Sequence, residues 1–162
     1  MVEFVDPNEA MYTDFEPKNA GRFIMYIDGI PSAFLKKCGR PKLESGEVEL
    51  PHINVTRYVK GKSKWQPISI EMYDFIKPSG MQMVMEWMRL SHEPETGRDG
   101  YKDMYAKEIT INVLGPTLDV QEEWILKGAW AKSFDGGELD WASEDLLNIS
   151  LEVRYDWASM SF

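Results

Sequence analysis

The residue types that most often carry chemistry are few in this chain and far apart. The sequence contains two histidines, His52 and His92, and one cysteine, Cys38. A zinc-type site needs several His, Cys or carboxylate ligands close together, and the chain has no C-x-x-C or H-x-x-x-H spacing. It also lacks a nucleophile elbow and a phosphate-binding glycine loop. The sequence therefore predicts no catalytic residue, no metal site and no cofactor, and Cys38 is expected to be a small, half-buried strand residue.

Paired carboxylates are the remaining candidates for catalysis, because a glycosidase needs only two of them. Glu122 and Glu123 are adjacent, as are Glu144 and Asp145. Adjacent residues of a strand point to opposite faces, so the first pair is a poor catalytic pair, and acid-rich loops are usually solvated. The six tryptophans could stack on sugars, although large aromatics more often fill cores and subunit interfaces. A carbohydrate-binding module or hydrolase, and a small-ligand barrel, remain alternatives of a different class.

Composition places the chain among compact globular proteins. With 162 residues, 43% of them hydrophobic and 12% aromatic, residues 1–162 are predicted to form one domain. The net charge is −9, and residues 119–157 carry ten acids and three bases. An acidic body disfavours stable binding of nucleic acid. No apolar run approaches the roughly 20 residues of a membrane span, the N-terminus does not resemble a signal peptide, and the single cysteine excludes an internal disulfide.

Two long strand-like runs occupy the last third of the chain. In residues 148–157 the apolar side chains alternate with polar ones, which predicts a strand with one buried face; they are Ile149, Leu151, Val153, Tyr155 and Trp157. In residues 119–130 both faces are predicted to be partly apolar. Ile125 and Ala129 occupy odd-numbered positions, whereas Trp124 and Leu126 occupy even-numbered positions, which alternate to the other face of a strand. Such a strand is expected to be covered on both sides. The two runs are predicted to pair antiparallel through a loop at residues 131–147.

The remaining pattern predicts a mostly β protein. Strands are expected at residues 22–28, 33–38, 52–58, 66–73 and 107–114, and loops at 39–50, 57–64 and 91–102. The sequence pattern predicts one helix, at residues 78–90, with Met81, Val84, Met85 and Met88 on one face. Residues 1–21 are expected to form an arm with Phe4, Tyr12 and Phe15 as possible anchors. The predicted fold class is an antiparallel β-sandwich or partly closed barrel with one flanking α-helix.

The predicted loop at residues 57–64 is a basic stretch of the chain. It holds Arg57, Lys60, Lys62 and Lys64 and no acid. On an acidic molecule such a loop could dock onto a second copy. The alternative is a solvated hairpin tip.

Several motifs together resemble the tail tube proteins of contractile-tailed bacteriophages. They are EEWILKGAWAKSFDGGELDW at residues 122–141, LEVRYDW at 151–157, WQPISIEMYD at 65–74 and the early strand at 22–29. The resemblance runs from about residue 23 to residue 157. The residues that match the family pattern are Trp124, Gly128, Trp130, Leu139, Asp140, Trp141, Tyr155 and Trp157.

The resemblance implies a structural role. In that family six copies form a ring, and the rings stack into a hollow tube inside a contractile sheath that delivers the genome. It implies a virion protein of the tail, assembled in the host cytoplasm, with no membrane anchor. The implied partners are the chain itself, the sheath protein, and baseplate and tail terminator proteins, while tape-measure protein and DNA pass through the lumen without stable binding. The related tubes of bacteriocins and type VI secretion systems are the alternative within the same architecture.

The resemblance also implies contact residues. A long loop between early strands reaches the next ring in the family, and the matching candidates are Arg57, Tyr58, Lys60, Lys62, Lys64 and Trp65. The arm at residues 1–21 is expected to order against a neighbour. Much of the negative charge is expected to face the lumen, where it would repel DNA. The second apolar face of the strand at 120–129 would contact a neighbouring subunit or the helix.

Overall fold

The computed structural model describes residues 16–162, which form mostly antiparallel β-structure. The strands are β1 (Phe23–Ile27), β2 (Leu35–Cys38), β3 (Lys42–His52), β4 (Val55–Gln66), β5 (Ile68–Tyr73), β6 (Lys107–Leu114), β7 (Val120–Asp135), β8 (Asn148–Arg154) and β9 (Trp157–Ser161). The helices are α1 (Gly80–Ser91) and α2 (Lys102–Tyr105), with a 3-10 turn at Ser32–Phe34. The predicted fold class is confirmed, and the sheets do not close into a barrel.

The long strand β7 belongs to two sheets. Its first half lies between β6 and β9, and β1 completes this first sheet in the order β1-β6-β7-β9. Its second half pairs with β8, which continues through β5 to β2 and forms the second sheet. All of these pairings are antiparallel. The strand therefore joins the two layers covalently.

A bulge at Gly128 produces the change of sheet. Ile109 of β6 faces Leu126, and Lys107 faces Ala129, so β7 contributes one residue more than β6 over this stretch. Gly128 has a φ of 66°, a left-handed conformation in which glycine is favoured because it has no Cβ. The extra residue shifts the alternation, and Ala129 is buried in the same core as Leu126. The prediction that Ala129 lies on the opposite face is therefore wrong.

The core lies between the two sheets, and α1 closes one side of it. Met25, Ile111 and Leu126 enter from the first sheet, and Ile70 and Leu151 enter from the second. Burial of such side chains contributes roughly 1.5–3 kcal/mol each. Tyr155 joins this core beside β8, so the buried alternating face predicted for that strand is confirmed at four of its five positions.

The helix begins and packs largely as its sequence predicts. The Ser79 side chain accepts a hydrogen bond from the Gln82 amide at 3.4 Å, an N-terminal cap. Val84 and Trp87 are its most deeply buried side chains, and Met81 and Met88 pack around them. The Trp87 indole Nε1 donates to the Tyr105 carbonyl at 2.8 Å. This hydrogen bond connects α1 to α2, a short helix that the sequence pattern does not predict.

A hairpin replaces two of the predicted loops. Residues 39–50 and 57–64 were expected to be loops, but β3 and β4 are paired strands over most of both stretches. Within residues 16–162 these two strands pair only with each other, and nearly all of their residues are exposed. Because neither face is buried, the alternation of apolar residues from which strands are usually predicted is short in this hairpin. Trp65 anchors its base, with its ring centroid 5.9 Å from that of Tyr155.

The C-terminal run divides into two strands rather than forming one. The chain turns between β8 and β9, where the Asp156 amide donates to the Lys127 carbonyl at 3.0 Å. The turn removes Trp157 from the buried face, and Trp157 is 49% exposed. The other long strand continues to Asp135 instead of ending at residue 130.

Part of the predicted arm can be located. Residues 16–21 form no strand or helix, whereas Phe4, Tyr12 and Phe15 lie outside the described residues. In the described part of the chain, no helix has the length and apolar character needed to cross a membrane.

Candidate subunit-assembly surfaces

The residues considered for metal or nucleophilic chemistry do not converge. Across residues 16–162 no group of three or more His, Cys, Asp or Glu side chains could hold a metal ion. His92 pairs with Asp99, Nδ1 to Oδ1, at 2.6 Å on an exposed loop, and His52 lies exposed at the end of β3. Burial raises the pKa of the Cys38 thiol to about 11. At neutral pH Cys38 is therefore a half-buried thiol and not a thiolate nucleophile.

Glu122 is a buried carboxylate that the sequence pattern does not reveal. Only 2% of it is exposed, and it accepts hydrogen bonds from Lys18 at 2.7 Å, from Arg40 at 2.5 Å and from the Trp124 indole. Burial raises the pKa of Glu122, but these three donors lower it further, to about 2. The group is ionised at neutral pH and fixed by its partners. It connects Lys18 of the N-terminal segment and Arg40, which lies between β2 and β3, to the start of β7.

The neighbouring carboxylate of Glu123 is not part of that cluster. Glu122 is buried, whereas Glu123 is only partly buried and its carboxylate accepts from the Ser161 hydroxyl of β9 at 3.5 Å. Alternation along β7 therefore separates the two carboxylates, as the sequence predicts.

The β3–β4 hairpin carries an exposed apolar face over its outer half. Val48 lies opposite Val59, and Leu50 and Val55 lie on the same face nearer the tip. All four side chains are at least half exposed. Soluble proteins rarely leave a contiguous apolar patch uncovered without a binding role.

The predicted inter-ring residues lie along β4 and not on a loop. Register places Lys60 opposite Glu47 and Lys64 opposite Glu44, so the stretch that reads as purely basic faces acids across the hairpin. Arg57, Tyr58 and Lys62 are also accessible, Arg57 and Tyr58 being opposite Leu50 and Glu49. Trp65 is half-buried at the base of the hairpin.

The first sheet has two open edges. Among the described strands, β1 pairs only with β6 and β9 only with β7. The outward face of this sheet is mixed: it carries the small or polar Thr110, Asn112, Ser159 and Ser161 together with the larger Ile24, Tyr26, Ile125 and Trp157. Its charges include an ion pair between Lys127 and Glu108 and the carboxylate of Glu123. Open edges of this kind can pair with another chain.

The residues that match the family pattern divide into two groups. Trp124, Gly128, Trp130 and Tyr155 form the bend and its packing, and the Trp130 ring meets Tyr105 edge-on at 6.3 Å. Leu139, Asp140 and Trp141 instead lie on the exposed loop between β7 and β8. Trp157 lies between these extremes, half-exposed at the start of β9.

Comparison with known proteins gives matches in structure but not in sequence. No protein-family model matches the chain, and no curated protein sequence matches it. A chain of the anti-feeding prophage tube-terminating cap superposes with a TM-score of 0.74 at 14% identity, covering 93% of this chain and 95% of that one. A chain of the sheath-tube complex of the PVC extracellular contractile injection system gives 0.71 at 15% identity, covering 98% and 99%.

A third solved structure gives a weaker match. Hcp1 from Flavobacterium johnsoniae superposes with a TM-score of 0.54 at 14% identity, covering 86% of this chain and 94% of that one. The proteins that this chain resembles are structural tube components and not enzymes. The fold expected from the tail tube resemblance is therefore confirmed: the chain has the fold shared by tube and tube-terminator proteins of contractile injection systems and by Hcp.

Proposed function

We propose that this chain is the repeating subunit of the tube of a contractile bacteriophage tail. Six copies would form a ring, and stacked rings would form the hollow conduit through which the genome leaves. The observation that carries this proposal is the structural match to tube and terminator chains over more than 90% of both partners. The projecting hairpin and the open sheet edges are the features that such an assembly would use.

The open edges supply a route to ring closure. Addition of the β1 edge of one copy to the β9 edge of the next would continue the first sheet from subunit to subunit. Such a contact is head-to-tail, and head-to-tail contacts close into rings when the rotation between copies permits. In this arrangement the outward face of the first sheet lines the lumen.

The lumen-facing residues would then suit a passing polyanion. Thr110, Asn112, Ser159 and Ser161 offer small polar groups beside the larger Tyr26 and Trp157, and Glu123 adds a carboxylate from each copy. A surface of this kind repels phosphate rather than holding it. DNA and the tape-measure protein would pass without stable binding.

The hairpin supplies the contact between rings. Its apolar outer face and the accessible side chains of β4 would dock on the neighbouring ring, with Arg57, Tyr58, Lys60, Lys62, Lys64 and Trp65 as the candidate contacts. Residues 1–21 would order against a neighbouring copy. The sheath would surround this tube, and baseplate and terminator proteins would bind its ends. The chain would thus be assembled in the host cytoplasm and remain in the virion tail without a membrane anchor.

Two related functions are favoured by specific observations. Similar solved structures include parts of an extracellular contractile injection system and a type six secretion system protein, which supports an inner tube of a bacteriocin or type VI-like system. Two similar structures are terminator assemblies with TM-scores of 0.74, against 0.71 for the sheath-tube complex. A terminator would form one ring and not a polymer.

Electron microscopy of the purified protein tests the proposal. Hollow tubes built from stacked six-membered rings are the expected result, and isolated rings would indicate a terminator. A monomer at every concentration, with saturable glycan binding, would overturn the proposal in favour of a carbohydrate-binding module. Immunogold labelling of particles from the producing cells separates the first two candidates, because a phage carries a DNA-filled head and an injection system does not.

A further inference from the structure

A cavity with an apolar floor opens between β1, β2 and β6. Its volume is about 360 Å³, within the range of clefts that hold ligands or anchoring side chains. Phe23, Cys38, Ile111 and Val113 contribute apolar surface. The cavity is therefore large enough to receive side chains from another molecule.

The rim of this cavity is basic. It is formed by Lys18, Arg22, Lys37 and Arg40. Glu122 pairs with two of these, and Lys37 is 3.8 Å from Glu71. Among residues 16–162 no carboxylate lies within salt-bridge distance of Arg22. On a molecule of net charge −9, this rim is a local excess of positive charge that favours an acidic partner.

The loop between β7 and β8 has the complementary character. Residues 136–147 carry Glu138, Asp140, Glu144 and Asp145 and no base. Trp141 is fully exposed, Leu139 is 85% exposed and Leu146 is 75% exposed. The tip is held in a turn, because the Asp140 carboxylate accepts from the Ala142 amide at 3.0 Å and the Asp140 carbonyl accepts from the Ser143 amide at 3.2 Å. A large apolar side chain presented in this way resembles the aromatic anchors of interfaces.

The loop does not occupy the cavity of its own chain in this structure. The strand β7 bends at Gly128, and its end lies three strands from the cavity rim, because Asp135 pairs with Ser150, Ser150 with Glu71, and Glu71 with the rim residue Lys37. At about 4.8 Å per strand this separation is roughly 15 Å. The loop tip nevertheless stays outside the cavity, since Trp141 is fully exposed. A second copy can bring the two together, in a head-to-tail contact of the type that builds rings and tubes.

We propose that Trp141 and Leu139 of one copy insert into the cavity lined by Phe23, Ile111 and Val113 of the next copy. The acids of the loop would meet the basic rim as the apolar tip fills the floor. Burial of a tryptophan removes roughly 150–250 Å² from water, enough to anchor an interface whose rim is charged. This contact rests on the proposed self-assembly and names the surfaces that perform it.

A competing occupant is the chain's own N-terminal segment. Residues 1–15 carry four acids, no base and several apolar residues, and Lys18 on the cavity rim follows them closely in sequence. The exposed loop tip is the better candidate, because in the described part of the chain nothing covers Trp141. The two occupants make different predictions for crosslinking.

Photo-crosslinking from position 141 tests the contact directly. The photoreactive residue benzoylphenylalanine replaces Trp141, and this unlabelled variant is assembled with the 15N-labelled wild-type protein. After illumination, the crosslinked peptides are mapped by mass spectrometry. We expect mixed-isotope adducts on residues 20–23, 37–40 or 111–113. Adducts on residues 1–15, on the hairpin or within one copy would overturn the inference. The same probe at Tyr101, an aromatic residue that is 83% exposed on another segment, is the control and should leave the cavity unlabelled.

Charge reversal supplies a second test. The variant Glu138→Lys with Glu144→Lys, and separately Arg22→Glu, should each raise the critical concentration for assembly about tenfold, and the three changes combined should recover most of that loss. Circular dichroism checks that each variant folds. If the combined variant has a higher critical concentration for assembly than either parent variant, the inference is wrong. Wild-type tubes with adducts elsewhere would refute only this contact, whereas wild-type protein that never assembles would refute the proposed function.

Discussion

Gly128 and Asp156 are packed so closely that a Cβ at position 128 would overlap the Asp156 carboxylate. The same carboxylate pairs with Lys102, and the Asp156 amide donates to the Lys127 carbonyl at 3.0 Å. The contact joins the bulge of β7 to the turn between β8 and β9. At both of these points the chain passes from one sheet to the other.

Replacing Gly128 should therefore loosen the joint between the sheets. Gly128→Ala places a side chain at a φ of 66°, which costs about 1–2 kcal/mol for a residue other than glycine. Displacing the Asp156 carboxylate would add the loss of its partly exposed ion pair with Lys102. Urea denaturation followed by circular dichroism measures the change in the free energy of unfolding.

A double variant separates the two causes. In an Asp156→Ala background the overlap disappears but the backbone strain remains, so Gly128→Ala should cost less there than in the wild type. Equal costs in both backgrounds would show that Asp156 moves aside freely. If Gly128→Ala leaves the free energy of unfolding unchanged in both backgrounds, the role assigned to the bulge is contradicted.

The buried Glu122 carboxylate should make stability depend on pH. Its pKa is about 2 in the folded protein, against an ordinary value of 4.5, so its contribution is fully present above pH 4.5 and is lost as the pH falls towards 2. The shift sets an upper bound of about 3 kcal/mol, which solvent screening of the partly exposed Lys18 and Arg40 reduces. Glu122→Gln should lose most of this at pH 7, and its stability should converge with that of the wild type near pH 2.

Glu123→Gln is the matched control for that experiment. It changes the next carboxylate along the same strand, whose contact with Ser161 is long at 3.5 Å. Its stability should stay within about 0.5 kcal/mol of the wild type. Denaturation curves at pH 7, 4.5 and 2.5 provide the comparison, and a Glu122→Gln curve parallel to the wild type at every pH would contradict the assignment.

Elements with a buried face could be predicted from the sequence. The strand at Lys107–Leu114 has the predicted bounds, because Ile109 and Ile111 alternate towards the core. The helix begins two residues after its predicted start and ends one residue after its predicted end, because Ser79 and its apolar face mark it in the sequence. In these elements the pattern of burial is also the pattern of the sequence.

Elements that depend on distant contacts could not be predicted in this way. The hairpin strands bury neither face in the subunit, so apolar residues alternate only over their outer half. The bulge at Gly128 depends on the register with β6, and the burial of Glu122 depends on Lys18 and Arg40, which are far from it in sequence. A single sequence shows neither the register nor the partners. The tail tube resemblance predicted the fold despite these gaps, because it rests on order and spacing rather than on burial.

The single thiol should react slowly in the folded protein. Burial raises the pKa of Cys38 to about 11, so at pH 8 its thiolate fraction falls on the order of 100-fold below that of an exposed thiol. Labelling with a disulfide reagent should be at least about tenfold slower than in denaturant, because the greater nucleophilicity of a thiolate of higher pKa offsets part of this loss. The rate should increase about tenfold for each pH unit below the pKa. A Cys38→Ser, Ser143→Cys variant carries an exposed thiol as the control, and equal rates for the two proteins would contradict the prediction.

Reversing the bases of β4 should stop tube growth without unfolding the subunit. The triple variant Lys60→Glu, Lys62→Glu, Lys64→Glu changes the charge that the hairpin presents to the next ring. It also creates like-charge pairs with Glu47 and Glu44 across the hairpin, each costing about 0.2–1 kcal/mol. The loss is confined to a hairpin outside the core, so circular dichroism should remain native while light scattering shows no polymer.

A compensated variant separates docking from hairpin stiffness. Adding Glu44→Lys and Glu47→Lys to the triple variant restores opposite charges at both register positions, but it leaves β4 acidic. If the next ring binds the basic side chains of β4, this variant should be folded and still unable to polymerise. Recovery of tube growth in the compensated variant would assign the defect of the triple variant to a loosened hairpin. Normal growth of the triple variant itself would show that these lysines are not part of the contact. The docking surface would then be the apolar outer face, with Val48, Leu50, Val55 and Val59.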